Sequence, residues 1–258
     1  MPIYASAMAL LVLLMVWKST SDAIQSATMP LVWIILIVAY TMCSSKISSS
    51  KREVFLTQYM RDSSSIKQKL RYGYIGKLFD TGIAAIFTLV FLVKVVTMSA
   101  HLVFLSYMMV VLLLLANEYT KNTTKRHVKP EYENIVTMRI SISVFTAASS
   151  FLLILFFLAS TQHNLHGINA TSVIQESMEQ VYVDNGFTLL VSIAVTIEHL
   201  QIWFVQNIFS GMTNYGLAEI ILLIIMFSTY YIYSLTLIRL FYGSNIAQSG
   251  ISKWRGGK

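Results

Sequence analysis

Residues 186–241 read GFTLLVSIAVTIEHLQIWFVQNIFSGMTNYGLAEIILLIIMFSTYYIYSLTLIRLF, two apolar runs joined by the polar turn Ser210-Gly211-Met212-Thr213-Asn214-Tyr215-Gly216. A run such as IILLIIMF lacks the period-two alternation of a transmembrane barrel strand. Each run, 186–209 and 217–241, is as long as the roughly 20 residues that a helix needs to cross a bilayer. Within the first lie Glu198, His199 and Gln201. Ionisable and amide groups are costly in hydrocarbon, so their presence marks a candidate functional site.

The same character extends over the whole chain. Of its 258 residues 55% are hydrophobic and 12% charged, and the mean hydropathy is +0.63. A soluble domain carries about 25% charged residues. The expected fold class is all-α: a polytopic helical membrane protein with six to seven transmembrane segments in one domain, 1–258. Ile3–Trp17 has no basic residue before it, unlike a signal peptide, and is read as the first span, anchored by Trp17 and Lys18. A polar link, Ser19–Thr28, precedes Pro30. Proline loses no hydrogen bond in a first helical turn, so Pro30 is expected to open a second span over Leu31–Cys43. The apolar stretch from Leu78 to Ala116 would be nearly 60 Å of helix. That is too long for one span, so it should fold as a hairpin turning at Met98-Ser99-Ala100-His101. Lys94, one turn earlier, is expected to snorkel outward. Ile140–Ser160 forms the fifth span, with small residues that let helix backbones approach closely.

The loops carry the orientation. Lys46–Lys77 holds eight basic residues against Glu53 and Asp62, a net of +6. Val54, Phe55, Tyr59 and Met60 give it one apolar face, as in a helix lying among headgroups or docked on another subunit. Glu118–Arg139 has a net of +2. Basic loops stay inside, so the N-terminus and the loops 46–77 and 117–139 are placed on the cytoplasmic side. This bias also accounts for the chain's formal charge of +7 without nucleic acid. Thr161–Asn185 has no Lys or Arg and carries Glu176, Glu179 and Asp184, which suits the outside. The sequon Asn169-Ala170-Thr171 falls in that loop, whereas Asn122-Thr123-Thr124 falls in a cytoplasmic one.

Seven full spans would put the C-terminus outside, yet the tail carries Lys253, Arg255 and Lys258 with no acid. The conflict disappears if 186–209 enters and returns as a re-entrant segment, which is tolerated where it is buried in protein or lines a water-filled path. Seven plain spans remain the simpler alternative.

An outside acidic loop, a partly polar segment with Thr196-Ile197-Glu198 and a last long span resemble the pore region of voltage-gated-like cation channels, where a T-x-E run lies at the filter. The resemblance covers about a quarter of the chain and implies a pore-like module over 186–241. The chain departs from that family in having no segment with Arg or Lys at every third position, so no voltage sensor is implied. A seven-span chain with Gln68-Lys69-Leu70-Arg71-Tyr72-Gly73 before its third span is similar to the third subunit of haem–copper oxidases over that fragment.

Glu198 and His199 are neighbours, about 100° apart on a helix, and cannot share a metal unaided. Glu198 with Gln201, or His199 with Trp203, can share a face. Thr196, Glu198, His199 and Gln201 are therefore the candidate intramembrane site, either a carboxylate or proton relay in a path or polar glue between helices. Glu219 is a helix-start acid. Thr229, Tyr230, Tyr231, Tyr233, Ser234 and Thr236 surround the last span's second half with hydroxyls, to line an aqueous path or to bond between helices.

No catalytic motif is present: no H-E-x-x-H, P-loop, G-x-S-x-G or Rossmann glycines. The chain is therefore read as not an enzyme, with no cofactor. The single cysteine, Cys43, excludes an intrachain disulfide and a cysteine-built metal site. His163 and His166 lack a third metal partner, and no metal is expected. Two functions remain. One is an oligomeric channel or transporter subunit, with Glu198 and its neighbours on the path. The other is a non-catalytic subunit of a larger membrane complex, docking through Lys51, Arg52, Arg61, Lys67, Lys69 and Arg71. Expected partners are the lipid bilayer and either further copies of the chain or other membrane subunits.

Overall fold

The computed structural model describes residues 5–20, 22–59, 74–129, 132–160, 165, 167–181, 183, 185–209 and 217–256. These form eight helices: α1 (Ala5–Lys18), α2 (Asp22–Tyr59), α3 (Tyr74–Thr97), α4 (Ala100–His127), α5 (Glu133–Ser160), α6 (Ala170–Glu179), α7 (Gly186–Phe209) and α8 (Leu217–Gly256). Five stretches are long and apolar enough to cross a membrane: Ile24–Leu56, Gly76–Thr97, Ile135–Phe157, Gly186–Asn207 and Ile224–Ser244. Met8–Lys18 and Ala100–Val110 are shorter apolar helices. The chain is accordingly an integral, multi-pass membrane protein. Large apolar side chains such as Leu31, Ile34, Ile86 and Phe151 are exposed on the outer faces, where hydrocarbon tails would meet them.

α8 is the hub. It packs against α1, α2, α3, α5 and α7, and α4 reaches the bundle mainly through α5. Tyr230, Tyr233 and Leu240 on α8 are fully buried, as are Leu36 and Tyr40 on α2 and Phe91 on α3. The Phe91 and Tyr233 rings stack with centroids 5.1 Å apart. At the crossing of α2 and α8 the backbones nearly touch, and a Cβ on Gly243 would overlap the Ala39 carbonyl. Glycine is needed there because only a hydrogen fits.

Several boundaries differ from those read in the sequence. Pro30 does not open α2; it lies inside a helix that begins at Asp22. The intended link is tied down instead. Gln25 Nε2 donates to the Lys18 and Thr20 carbonyls at 3.0 Å each, and Trp17 Nε1 donates to Thr28 Oγ1 at 3.1 Å. Buried in this way, the polar residues can start the helix early. At the other end α2 continues through Lys46–Tyr59 rather than stopping at Cys43. Its 38 residues make about 57 Å of helix, well beyond the ~30 Å hydrocarbon layer. Residues 60–73, which include Arg61, Lys67, Lys69 and Arg71, lie outside the described residues.

The hairpin turn falls where expected. α3 ends at Thr97 and α4 begins at Ala100, with Ser99 Oγ accepting from the Leu102 amide at 3.4 Å. Ser99 thus acts as the N-cap that serine commonly provides. Residues 186–209 form one unbroken helix of 24 residues, so the backbone offers no break at which this segment would turn back.

Candidate functional site

The α3 and α7 faces are both apolar, with one charge on each. Lys94 Nζ donates to Glu198 Oε2 at 2.7 Å, and the two side chains are only 10% and 15% exposed. The expected snorkelling of Lys94 is corrected here: the ammonium turns inward. Two further contacts hold it there, the Tyr230 ring at 4.6 Å and the Phe157 ring at 5.6 Å from Nζ. A cation over an aromatic face is worth about 2 kcal/mol when desolvated. The lysine is therefore surrounded by a carboxylate and two π-clouds drawn from α5, α7 and α8.

The pair forms part of the wall of a cavity of about 190 Å³ between α3 and α7. Its remaining surface is mostly aliphatic, with Leu89, Val93, Ile193 and Ile197, and its other polar members are Gln201 and Thr229. Gln201 is 2% exposed and its Nε2 has no protein partner. Two of the four sequence candidates, Glu198 and Gln201, thus come together at the cavity.

The other two do not. Thr196 is buried, and its hydroxyl donates to the Ser192 carbonyl at 2.9 Å, a bond within its own helix. His199 points away from Glu198, as neighbours on a helix must, and its Nδ1 lies 2.7 Å from Ser177 Oγ on α6. That bond belongs to a seam joining the polar segment before α7 to α7 itself. Trp203 Nε1 donates to the Ile168 carbonyl at 2.6 Å, and Gln206 Oε1 accepts from the Leu165 amide at 2.7 Å. The chain turns at Gly167 with φ +78°, in the left-handed region that favours glycine. His163 and His166 lie outside the described residues. Among the described residues no three His, Cys, Asp or Glu side chains group as metal ligands.

Two half-buried basic groups, Lys18 and Arg239, brace the bundle elsewhere. Lys18 Nζ donates to the carbonyls of Val95, Val96 and Met98 at 2.6, 3.0 and 2.7 Å. It thereby fills the carbonyls left open at the end of α3, where the helix dipole favours a cation. Arg239 Nη1 donates to Tyr40 Oη at 2.6 Å and Ser44 Oγ at 3.0 Å, tying α8 to α2. The signal that would have found Lys94 was the presence of both a base and an acid within apolar segments. Each is costly unpaired, and together they satisfy one another.

Of the docking residues, Lys51 is exposed and Arg52 half-buried on the projecting end of α2. The Arg52 guanidinium lies beside Gly76, close enough that a Cβ there would stand 2.8 Å from Nη2. Comparison of the chain with protein-family models, with curated proteins and with solved structures finds no match.

Proposed function

We propose that the protein is a membrane transporter or channel subunit whose intramembrane site is the Lys94–Glu198 pair with Gln201 beside it. The observation that supports this most is the 2.7 Å ion pair on the wall of a cavity between two apolar helices. A carboxylate closed onto an ammonium presents little net charge, so it makes a poor filter for an open cation pore. It makes a better exchange site, at which a cation or a proton takes one partner while the aromatic rings keep the other. A gated carrier is therefore favoured over a permanently open pore. In this proposal the N-terminus and the loops 46–77 and 117–139 face the cytoplasmic side and 161–185 the opposite side. Labelling of single cysteines placed in those loops, in a Cys43→Ser background, tests the sidedness.

Purified protein in liposomes should move protons or small cations down an imposed gradient, and Glu198→Gln should slow that movement. Equal rates in the variant, or no flux of any ion in the unmutated protein, would overturn the proposal. A second reading, a structural subunit of a larger complex, is favoured by the basic end of α2 standing beyond the bilayer thickness. Stoichiometric foreign subunits after purification in mild detergent would support that alternative; a complex of this chain alone would support transport.

A further inference from the structure

Among the described residues, several buried hydroxyls lack a protein partner, and one of them, on Tyr230, belongs to the residue whose ring lies against Lys94. Tyr107 Oη, Thr146 Oγ1, Tyr230 Oη and Ser234 Oγ are all buried and unpartnered. They come from α4, α5 and α8, and α4 and α8 also share a buried hydroxyl bond, Ser106 Oγ to Tyr233 Oη at 2.8 Å. A cavity of about 10 Å³ is lined by Ser234 together with Ser106 and Ser149 and by apolar side chains that include Val110 and Ile238. That is near the smallest volume that holds one water molecule, and three hydroxyls are the number of partners such a water uses. Native interiors leave few polar groups unpaired, and each calls for an account. The upper end of this seam is the site already described, since the Tyr230 ring carries the Lys94 ammonium. Further along the same helices is a second polar cluster. Asn117 Oδ1 on α4 accepts from Ser141 Oγ on α5 at 3.0 Å and from Tyr242 Oη on α8 at 3.1 Å. Ser106 and Asn117 are separated by about 16 Å along α4 at the standard rise, half a bilayer. From Val110 and Ile238, which close the Asn117 side of that cavity, the wall toward Asn117 is apolar, with Ile142 also buried.

We infer that the seam between α4, α5 and α8 is a hydrated proton path that joins the Glu198–Lys94 pair to the Asn117 end of the bundle. The inference rests on the transport reading above and names its substrate as the proton. Hydroxyls and waters pass protons by exchanging donor and acceptor roles, so no bond to carbon forms or breaks and no redox partner is required. Glu198 accepts the proton and becomes a neutral carboxyl. Lys94 keeps its charge on the Tyr230 and Phe157 rings until the proton leaves and the ion pair re-forms. The apolar section at Val110, Ile142 and Ile238 is the gate, open only when water wets it.

The test uses proteoliposomes enclosing a pH-sensitive dye, with a potassium gradient and valinomycin to set the potential. The unmutated protein should carry protons, and Thr146→Val and Ser234→Ala should each slow the flux about tenfold, as expected for a barrier raised by one lost hydrogen bond. Flux of sodium or potassium without protons would overturn the proton assignment and leave the Glu198 transport site standing. Absence of any flux would remove both. Melting temperature gives a readout independent of transport. A dry, unpartnered hydroxyl destabilises, so Thr146→Val would then raise the melting temperature. A hydrated seam requires it to fall, and a rise or no change overturns the inference.

Discussion

Removing each member of the Lys94–Glu198 pair in turn should give unequal costs, because the two side chains have different surroundings. Glu198→Gln leaves the ammonium over Tyr230 at 4.6 Å and Phe157 at 5.6 Å. Those faces offset part of the loss, about 1–2 kcal/mol. Lys94→Met leaves the carboxylate without its 2.7 Å hydrogen bond in a site that is 15% exposed. Stranding a charge at this depth costs about 3 kcal/mol. For a chain of this size each kcal/mol moves the midpoint about 2–4 °C. Lys94→Met should therefore fall by about 6–12 °C, and Glu198→Gln by clearly less. The double variant Lys94→Met/Glu198→Gln should fall no further than Lys94→Met, since the second change removes a charge that is already stranded. Thermal unfolding in detergent micelles, followed by circular dichroism at helical wavelengths, supplies the three midpoints. Additive losses in the double variant, or a Glu198→Gln loss larger than that of Lys94→Met, would refute the account of a coupled pair cushioned by aromatic rings.

Other expectations follow from single contacts. Gly243→Ala forces a Cβ into the Ala39 carbonyl, so α2 and α8 must separate; monodisperse yield by fluorescence-detected size exclusion should collapse, while Gly82→Ala, whose Cβ meets nothing, should behave as the unmutated chain. Lys18→Met deprives the carbonyls of Val95 and Val96 on α3 and of Met98 just beyond it of their donor and should destabilise by about 1–3 kcal/mol, with Lys18→Arg recovering part of the loss in the same micelle assay. Ser177→Ala breaks the bond to His199 and should raise amide exchange over 165–181 with little change in the global midpoint.

Long apolar runs made the helices readable in sequence, and the capped turn at Ser99 falls where a 39-residue run had to fold back. The start of α2 was not readable because hydrogen bonds to groups outside the helix decide it. Gln25 can be buried only by bonding to the carbonyls of Lys18 and Thr20, which themselves exist only once α1 has ended. Glu198 and Gln201 stood out because polar groups in hydrocarbon are rare. Lys94 was misplaced because a lysine near a helix end has two cheap solutions, and only the position of α7 selects the inward one. Ser177 could not have been connected to His199 from spacing, since nothing local sets how α6 docks.

The contact between Lys18 and the end of α3 also constrains the order in which this protein can be made. α1 has 14 residues, about 21 Å of helix, short of the ~30 Å that a stable span requires. Its terminal ammonium acquires its three carbonyl partners only after roughly eighty further residues have been synthesised and threaded. Until then the first helix must wait at the membrane surface or inside the insertion machinery with its charge still hydrated. The helix end that holds this charge is thus made later than α1, and α8, against which α1 also packs, later still, so the first helix reaches its full set of contacts only when the last helix is in place.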